Sequence, residues 1–299
     1  MRILYLTSRM PYPPVGGDRY RVFHFIRAAA NAGHEVHLLT FDTHARTAES
    51  IAPLAQLTAS LGVVEMPSVL SAVRAMGALS DSRPFQLAYY ESKRMRVRVE
   101  EALARVRPDV VYTHLFRMAP YALGAMRKAS ARWILDLTDV ISSGISRSLP
   151  YRRGIDRWLH TEESRRIAGY ERRIAPHFDR CWVISDFEAR VLSAAAPEAR
   201  VEVVPNGAEW DGSREVGSMA REPATLLFFG FQKIFHNRDA VRFLTEEIFP
   251  LVRVEVPEAR LEIAGKASNS LGPWARGRDR KSTRLNSSHS AKSRMPSSA

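Results

Sequence analysis

Short apolar runs alternate with longer amphipathic segments along most of the chain. The apolar runs predict strands at Ile3–Leu6, Val36–Phe41, Gly62–Met66, Val110–Thr113, Trp133–Leu137, Cys181–Ile184 and Val201–Val204. The segments between them have helical spacing, for example over Tyr20–Asn31, Ser92–Arg105 and Ala119–Ala129. Because strands and helices alternate, the pattern predicts an α/β fold with a mostly parallel sheet that is covered on both faces.

One long polar stretch interrupts this series. Pro205-Asn206-Gly207 is a turn signal, and polar residues with glycine continue as far as Pro223. A second series then starts, with strands at Thr225–Phe229 and Arg260–Ala264 on either side of a helix over Asp239–Val256. We therefore predict two domains, with a first domain over 1–205, a linker over 206–223 and part of a second domain over 224–275.

The final residues, 276–299, have a different composition from the rest of the chain. Serine and arginine dominate them, without helical or strand periodicity, which is typical of a disordered tail. The stretch Lys281–His289 also resembles the translation of sequencing-adapter DNA, and the preceding series stops in the middle of a βαβ pattern. We therefore expect a non-native tail and an incomplete second domain.

The formal net charge of +12 would favour a nucleic-acid or anionic-membrane partner. Half of that charge is carried by residues 276–299, and the rest of the chain contains no recognised nucleic-acid motif, so we expect no nucleic-acid partner. A single cysteine, Cys181, excludes an internal disulfide and indicates a reducing cytoplasm. No apolar run reaches the length of a membrane-spanning helix.

The loop after the first strand is the first candidate site. It is rich in proline and ends in the pair Gly16-Gly17 directly before a helix. Glycines let the backbone approach a ligand closely, and a helix N-terminus favours anions. The loop does not have the spacing of a dinucleotide fingerprint, so the pattern leaves either a phosphate or sugar site or a plain strand-to-helix turn.

Polar side chains also follow two later strands, at the ends where parallel sheets bind ligands. His114 comes just after Val110–Thr113, where a neutral imidazole can donate a hydrogen bond to a substrate hydroxyl. Asp136 and Asp139 end another strand, and we expect both on one side of it, with Asp139 favoured as the ligand because it is nearer the strand end. A structural histidine and loop-capping carboxylates are the alternatives, and we expect no metal site.

An arginine-rich segment, Tyr151–Pro176, has a rough apolar stripe and predicts an amphipathic helix packed on the sheet. The alternative is contact with anionic lipid or with a lipid-diphosphate acceptor through Arg152–Arg173. In the second domain, the loop Gly230–Asn237 follows a strand, and Lys233 is its fixed cation. Lys233 is therefore a candidate for binding a diphosphate.

Several short segments occur in an order and spacing that are specific together, although each alone is weak. They are Arg2–Thr7 with Pro11–Pro14 and Gly17–Asp18, His34–Leu38, Pro108–Val111, Leu135–Asp139, Tyr170–Ala175, Val204–Gly207, and Asn237 with Asp239–Val241. From the first residue to about Gly272 the chain resembles glycosyltransferase family 4. Within that family it is most similar to the sugar transferases of bacterial exopolysaccharide and PEP-CTERM sorting loci.

This resemblance implies a GT-B fold, in which two Rossmann-like domains face each other across a cleft. It implies retaining transfer of a sugar from a nucleotide-sugar donor to a glycan or lipid-linked acceptor, without metal or cofactor. His114 would lie beside the transferred sugar. The other expected donor- or acceptor-binding residues are Gly16, Gly17, Asp139, Asn206, Gly207, Lys233 and Asn237.

The chain departs from the family at two places. Phe231 and His236 occupy the positions of the arginine and lysine that hold the donor diphosphate in the family, which is why Lys233 is considered. The glutamate pair that grips the nucleotide ribose and the sugar is missing, so we expect the chain as it stands to be inactive. A non-catalytic GT-B-like module that binds a glycan or lipid, and another enzyme on the same fold such as a sugar-nucleotide epimerase, stay open. We expect a cytoplasmic location, with possible contact at the inner membrane face.

Overall fold

The computed structural model describes residues 1–42, 48–66, 68–207, 223–232 and 234–265, with the backbone alone for 48–50 and 68. The chain divides into two compact units, Met1–Glu209 and Trp210–Ala299. Most of the proposed linker, Lys233 and the proposed tail lie outside the described residues.

The first unit is built on a sheet of seven parallel strands in the order β3-β2-β1-β4-β5-β6-β7. The strands are β1 Arg2–Thr7, β2 Glu35–Asp42, β3 Ser60–Glu65, β4 Val110–His114, β5 Arg132–Thr138, β6 Arg180–Val183 and β7 Val201–Val203. Each corresponds to a predicted strand, and the predicted α/β class with a parallel sheet is confirmed. The strand order reverses between β1 and β4, which is the point where open α/β sheets bind ligands.

Helices connect these strands. In the first unit they are α1 Gly17–Asn31, α2 Ala48–Ala55, α3 Ser68–Gly77, α4 Phe85–Tyr89, α5 Lys93–Val106, α6 Ala119–Ala125, α7 Ile141–Ser148, α8 Gly154–Ile174 and α9 Asp186–Ala195. α5 shows why the local sequence begins and ends a helix where it does. The Ser92 hydroxyl accepts a hydrogen bond from the Met95 amide at its start, and Arg107 ends it in the left-handed conformation.

Alternate residues of each strand supply the two halves of the core. Leu4 and Leu6 of β1 belong to the larger cluster, which includes residues of α5, α6, α8 and α9. Ile3 and Tyr5 point to the opposite face and belong to the cluster that includes residues of α1. This division follows from the two-residue period of a strand, and it explains why β1 reads as a continuous apolar run.

The second unit contains β8 Thr225–Phe229 and β9 Arg260–Ala264, which pair in parallel. The helix predicted over Asp239–Val256 is present as a continuous helical stretch that begins earlier, at Phe235, and contains a π-helical turn. The structure has α10 Phe235–Phe243 and α11 Phe249–Glu255, joined by a π-helical turn over Leu244–Ile248. Pro250 lies in the first turn of α11 and has no amide hydrogen for the helical ladder, which accounts for the wider turn before it.

Candidate active site

A buried ion pair organises the carboxyl ends of the central strands. The Arg21 Nε of α1 lies 2.7 Å from Asp136 Oδ2 of β5, and both side chains are fully buried. The hydroxyl of Tyr112, on β4, donates a hydrogen bond to the same carboxylate oxygen. Arg21 Nη1 donates to the Val204 carbonyl at 2.8 Å and to Asn206 Oδ1 at 3.0 Å. The ion pair and hydrogen bonds of one guanidinium therefore link α1, β5 and the segment after β7.

His114 is the last residue of β4 and is buried beside this ion pair. Its ring stacks on Tyr112 with a centroid distance of 6.3 Å, and its Nε2 lies 3.5 Å from Thr138 Oγ1. Burial lowers the pKa of His114 to about 4, and the charges of Arg117 and Arg21 act in the same direction. The imidazole is therefore neutral at pH 7, the form that can donate one hydrogen bond and accept another.

The backbone at both strand ends is in a conformation that side chains seldom adopt. Leu115, directly after His114, has a φ of 65°, and Thr138 at the end of β5 has a φ of 61°. Asp136 holds both turns, because its carbonyl accepts from the Leu115 amide at 2.8 Å and its Oδ1 accepts from the Thr138 amide at 2.9 Å. Strained residues of this kind cluster at functional sites, where the surrounding structure maintains them.

The two aspartates of β5 do not share one side of the strand, so that expectation was wrong. Residues three apart in a strand point to opposite faces, and β5 also ends before Asp139. Asp136 is fully buried in the ion pair with Arg21. Asp139 is partly exposed beyond the strand end, and burial, with the charge of Glu188, raises the pKa of its carboxyl. The sequence singled out Asp139 as a ligand and missed the organising role of Asp136.

The glycine pair lies at the start of α1. Gly16 precedes the first turn with a φ of 100°, and no side chain caps this helix end. A Cβ atom added to Gly17 would meet nothing within 4 Å. Gly17 therefore leaves room for a ligand at an uncapped helix N-terminus, where backbone N–H groups and the helix dipole favour an anion.

A cavity of about 380 Å³ opens at the carboxyl ends of β1, β2 and β3. Its lining residues are Ser8, Arg9, Met10, Arg19, Phe41, Asp42, Met66, Gln86, Tyr89, Tyr90 and Arg117. Ser8, Arg9 and Met10 belong to the loop after the first strand, which the sequence indicated as a candidate site, whereas the other lining residues were not singled out. Position along the chain could have indicated two of the lining residues. Arg9 follows β1 and Arg117 follows β4, at the same edge of the sheet where His114 ends its strand. Gln86 and Tyr89 come from the distant α4 and carry no such signal.

The candidate residues of the second unit lie around the turn after β8. Asn237 donates from Nδ2 to the Phe231 carbonyl at 3.0 Å, so its amide stabilises this turn. His236 is exposed, and Lys233 lies outside the described residues. In the first unit, Asn206 accepts a hydrogen bond from Arg21 of the Arg21–Asp136 pair, and the next residue, Gly207, is exposed. The structure thus gathers His114 and Asn206 around one ion pair, with Asp139 close enough for that pair's charges to act on its carboxyl.

The acidic residues of the arginine-rich helix α8 have structural tasks. Glu171 accepts hydrogen bonds from the Ile141 amide at 3.0 Å and from the Ser142 hydroxyl at 2.5 Å, at the start of α7. Glu163 accepts from the Phe85 and Gln86 amides at the start of α4. The helix therefore packs against the domain as the amphipathic interpretation predicts, and two of its carboxylates cap other helices.

The described part of the chain contains neither a metal-binding cluster nor a membrane-spanning helix. Within those residues, no cluster of three or more His, Cys, Asp or Glu side chains is arranged to hold a metal ion. Nor does that part of the chain contain a helix of the length and hydropathy needed to cross a membrane.

Solved glycosyltransferases share this fold. The sucrose-phosphate synthase of Thermosynechococcus elongatus aligns over 89% of this chain with 13% identity and a TM-score of 0.54. The lipopolysaccharide outer core galactosyltransferase WaaB aligns over 92% with 15% identity and a TM-score of 0.50. UGT2 of Phytolacca americana, without ligand, aligns over 95% with 11% identity, a TM-score of 0.50 and coverage of 68% of its own chain. These likenesses establish the GT-B class of fold.

Residues 16–207 match the family described as a glycosyl transferase 4-like domain. Because the match covers more than half of the chain, the chain belongs to this glycosyltransferase family. It spans only 62% of the sucrose-phosphate synthase chain and 64% of the WaaB chain. A search of curated protein sequences gives no significant match.

Proposed function

We propose that the protein is a retaining glycosyltransferase that moves a hexose from a nucleotide-sugar donor to a glycan or lipid-linked acceptor. We assign it to the synthesis of exopolysaccharide or another cell-surface polysaccharide, on the cytoplasmic side of the membrane. The observation that carries the proposal is His114, a buried neutral imidazole on a strained strand end at the switch point of the sheet. Membership of the glycosyl transferase 4-like family supports the reaction type.

In this proposal each residue type has one task. The bond between the sugar C1 and the donor phosphate breaks, and a bond from the acceptor oxygen forms on the same face, while the acceptor proton passes to the departing phosphate. The uncapped start of α1 at Gly17 stabilises negative charge on the leaving diphosphate. Neutral His114 donates a hydrogen bond to a hydroxyl of the transferred sugar and holds the ring in place.

The test is sugar transfer by the full-length protein, followed by mass spectrometry with a panel of nucleotide sugars. We expect His114→Ala to lower kcat by about 10²- to 10³-fold, the loss typical of removing one positioned hydrogen-bond donor. His160→Ala, which changes a partly exposed histidine of α8, is the matched control and is expected to leave kcat unchanged. Full activity of His114→Ala, or no transfer from any donor by the unaltered protein, would contradict the proposal.

The alternative of a non-catalytic binding module makes a different prediction for the same variants. If the protein only binds a glycan or lipid through α8, His114→Ala leaves its cellular function intact. Substitution of the exposed Arg153 and Arg157 then abolishes that function. Complementation of a deletion strain with each variant separates the two readings.

Contact with an anionic membrane is a second part of the proposal, supported by one surface feature. Tyr151, just before α8, and Ile155 and Trp158 in its first turns are 59%, 71% and 54% exposed, next to Arg153 and Arg157. Exposed apolar and aromatic side chains beside arginine are typical of interfacial helices. We expect the full-length protein to float with phosphatidylglycerol vesicles and not with phosphatidylcholine vesicles.

The matched variants for this test are Ile155→Ser with Trp158→Ser, which should abolish flotation, and Val97→Ser, which should not. Val97 is 54% exposed on α5, so its substitution removes an exposed apolar side chain away from the start of α8. Equal flotation of both variants would show that the start of α8 does not contact lipid.

A further inference from the structure

The cavity at the carboxyl ends of β1, β2 and β3 contains a half-buried cation without a matching carboxylate among the described residues. Arg117 follows the turn after β4, and its Nε and Nη2 donate to Gln86 Oε1 at 2.9 and 2.6 Å. This partner is a neutral amide. Burial lowers the pKa of the Arg117 guanidinium, which means that its charge is held there at a cost. Among the described residues, no carboxylate lies within salt-bridge distance of Arg117.

A second, independent feature of the same cavity is an unpaired hydroxyl. Ser8 follows β1, is 1% exposed and lines the cavity, and its Oγ has no hydrogen-bond partner among the residues that the structure describes. Buried hydroxyls are nearly always paired, since an unsatisfied one costs free energy. A ligand in this cavity would supply the missing partner.

The remaining charged groups make the cavity positive. Arg9 and Arg19 line it together with Arg117, whereas Asp42 is the carboxylate that lines it. Arg9 is only loosely engaged, with Nη1 3.4 Å from Asp18 Oδ2 and Nε 3.3 Å from the Tyr90 hydroxyl. With Asp18 counted as the partner of Arg9, three guanidinium groups stand against two carboxylates. This excess favours an anion, and the planar fork of arginine matches phosphate oxygens.

The cavity is also placed for the acceptor. Arg117 lines the cavity and lies in the turn directly after β4, the strand that ends at the imidazole we place beside the transferred sugar. A volume of about 380 Å³ is in the range of small-molecule sites. The hydroxyls of Tyr89 and Tyr90 add polar groups on aromatic rings to the lining.

The geometry points to a phosphate-binding subsite for the acceptor in this cavity, with Arg117 and Arg9 on the phosphate oxygens and the Ser8 hydroxyl completing the contact. The inference rests on the proposed transferase function and narrows it to acceptors that carry a phosphate or diphosphate. Two sources share this chemistry, a soluble sugar phosphate and a lipid-diphosphate-linked sugar.

The first experiment measures binding of inorganic phosphate to the full chain by isothermal titration calorimetry in chloride buffer. We expect Arg117→Met to weaken binding by about 10- to 100-fold, the usual effect of losing a charge-assisted contact. Arg117→Lys keeps the charge without the fork and should weaken binding less. Arg127→Met, on an exposed turn outside the cavity, is the matched control and should bind as the unaltered chain does.

Ser8→Ala gives a readout that a purely structural role would not produce. Removing an unpaired buried hydroxyl should leave the free energy of unfolding unchanged or raise it, while phosphate binding weakens by several-fold. If Arg117→Met and Ser8→Ala fold normally and bind phosphate as tightly as the control, the inference is overturned. No measurable phosphate binding by the unaltered chain overturns it as well.

The second experiment identifies the source by competition against bound phosphate. Displacement by a hexose phosphate in solution supports a soluble acceptor, and displacement only by a short-chain polyprenyl-diphosphate sugar in micelles supports a lipid-linked one. If phosphate binds but neither competes, the site is an adventitious anion site and the acceptor inference fails. Because none of these measurements needs turnover, phosphate binding with the expected variant effects and without sugar transfer would defeat the proposed function and not the subsite.

Discussion

Two arginines whose charges act on His114 show how differently one residue type is used in this domain. Arg21 makes an ion pair with the fully buried Asp136 and also donates to Val204 and Asn206. Arg117 is half-buried, lies over the rings of Tyr90 and Phe116, donates to a neutral amide and lines an open cavity. The charges of both lower the pKa of His114. A matched arginine holds the scaffold together, whereas an unmatched one is available to a ligand.

The largest expected effect comes from breaking the matched pair. Arg21→Met leaves a buried carboxylate uncompensated, so the free energy of unfolding should fall by about 3–5 kcal/mol. Arg117→Met removes hydrogen bonds to one amide and should cost about 1 kcal/mol. Urea denaturation followed by circular dichroism at pH 7 measures both values. Equal losses in the two variants would end the distinction between the arginines.

The sequence predicted the scaffold well because its signals are local. The central strands of the large sheet are short apolar runs, such as β1 and β2, and residues buried on both faces of a sheet differ clearly from a polar loop. The position of His114 followed from the same pattern, because the end of β4 is also the carboxyl edge of the sheet. Its role in sugar transfer stays a prediction.

The network around His114 could not be predicted from a single sequence. Arg21 and Asp136 are 115 residues apart, and nothing local marks them as partners. Asp139 was preferred over Asp136 because distance along the strand was considered, whereas the face of the strand decides which side chain reaches α1. Glu171 belongs to a recognised segment, Tyr170–Ala175, but only the structure shows that it caps α7.

The pH dependence of stability tests how Arg21 and Arg117 act on His114. The folded pKa of about 4 lies below the ordinary value of 6.5, so the unfolded chain binds the proton more tightly. The contribution of His114 to the free energy of unfolding should therefore be greatest above pH 6.5 and fall by up to roughly 3 kcal/mol as the pH drops to 4. Arg117→Met and Arg21→Met should each raise the pKa of His114, which is measurable by NMR titration.

Glu171 makes the free energy of unfolding depend on pH in the opposite direction, over an overlapping pH range. Burial raises the pKa of its carboxyl from 4.5 to about 7, so the folded chain binds this proton more tightly. Its contribution to stability is greatest below pH 4.5 and declines as the pH rises to 7, which nearly cancels the slope of His114 between pH 4.5 and 6.5. Glu171→Gln should unmask the rising profile of His114, and His114→Gln the falling profile of Glu171. Flat profiles in both variants would contradict the assignments.

The smallest expected effect extends the comparison to the glycine pair, in which one residue shapes the backbone and its neighbour leaves space for a ligand. Gly16 has a φ of 100°, so Gly16→Ala should lower the free energy of unfolding by about 1–2 kcal/mol. A Cβ on Gly17 meets nothing within 4 Å, and Gly17→Ala should change stability by less than about 0.5 kcal/mol.

If the donor diphosphate approaches the start of α1, the methyl group of Gly17→Ala blocks it. Gly17→Ala in the full-length protein should then lower kcat/KM by at least about tenfold, the rate equivalent of 1.4 kcal/mol. Unchanged kcat/KM in this stable variant would show that the donor binds elsewhere.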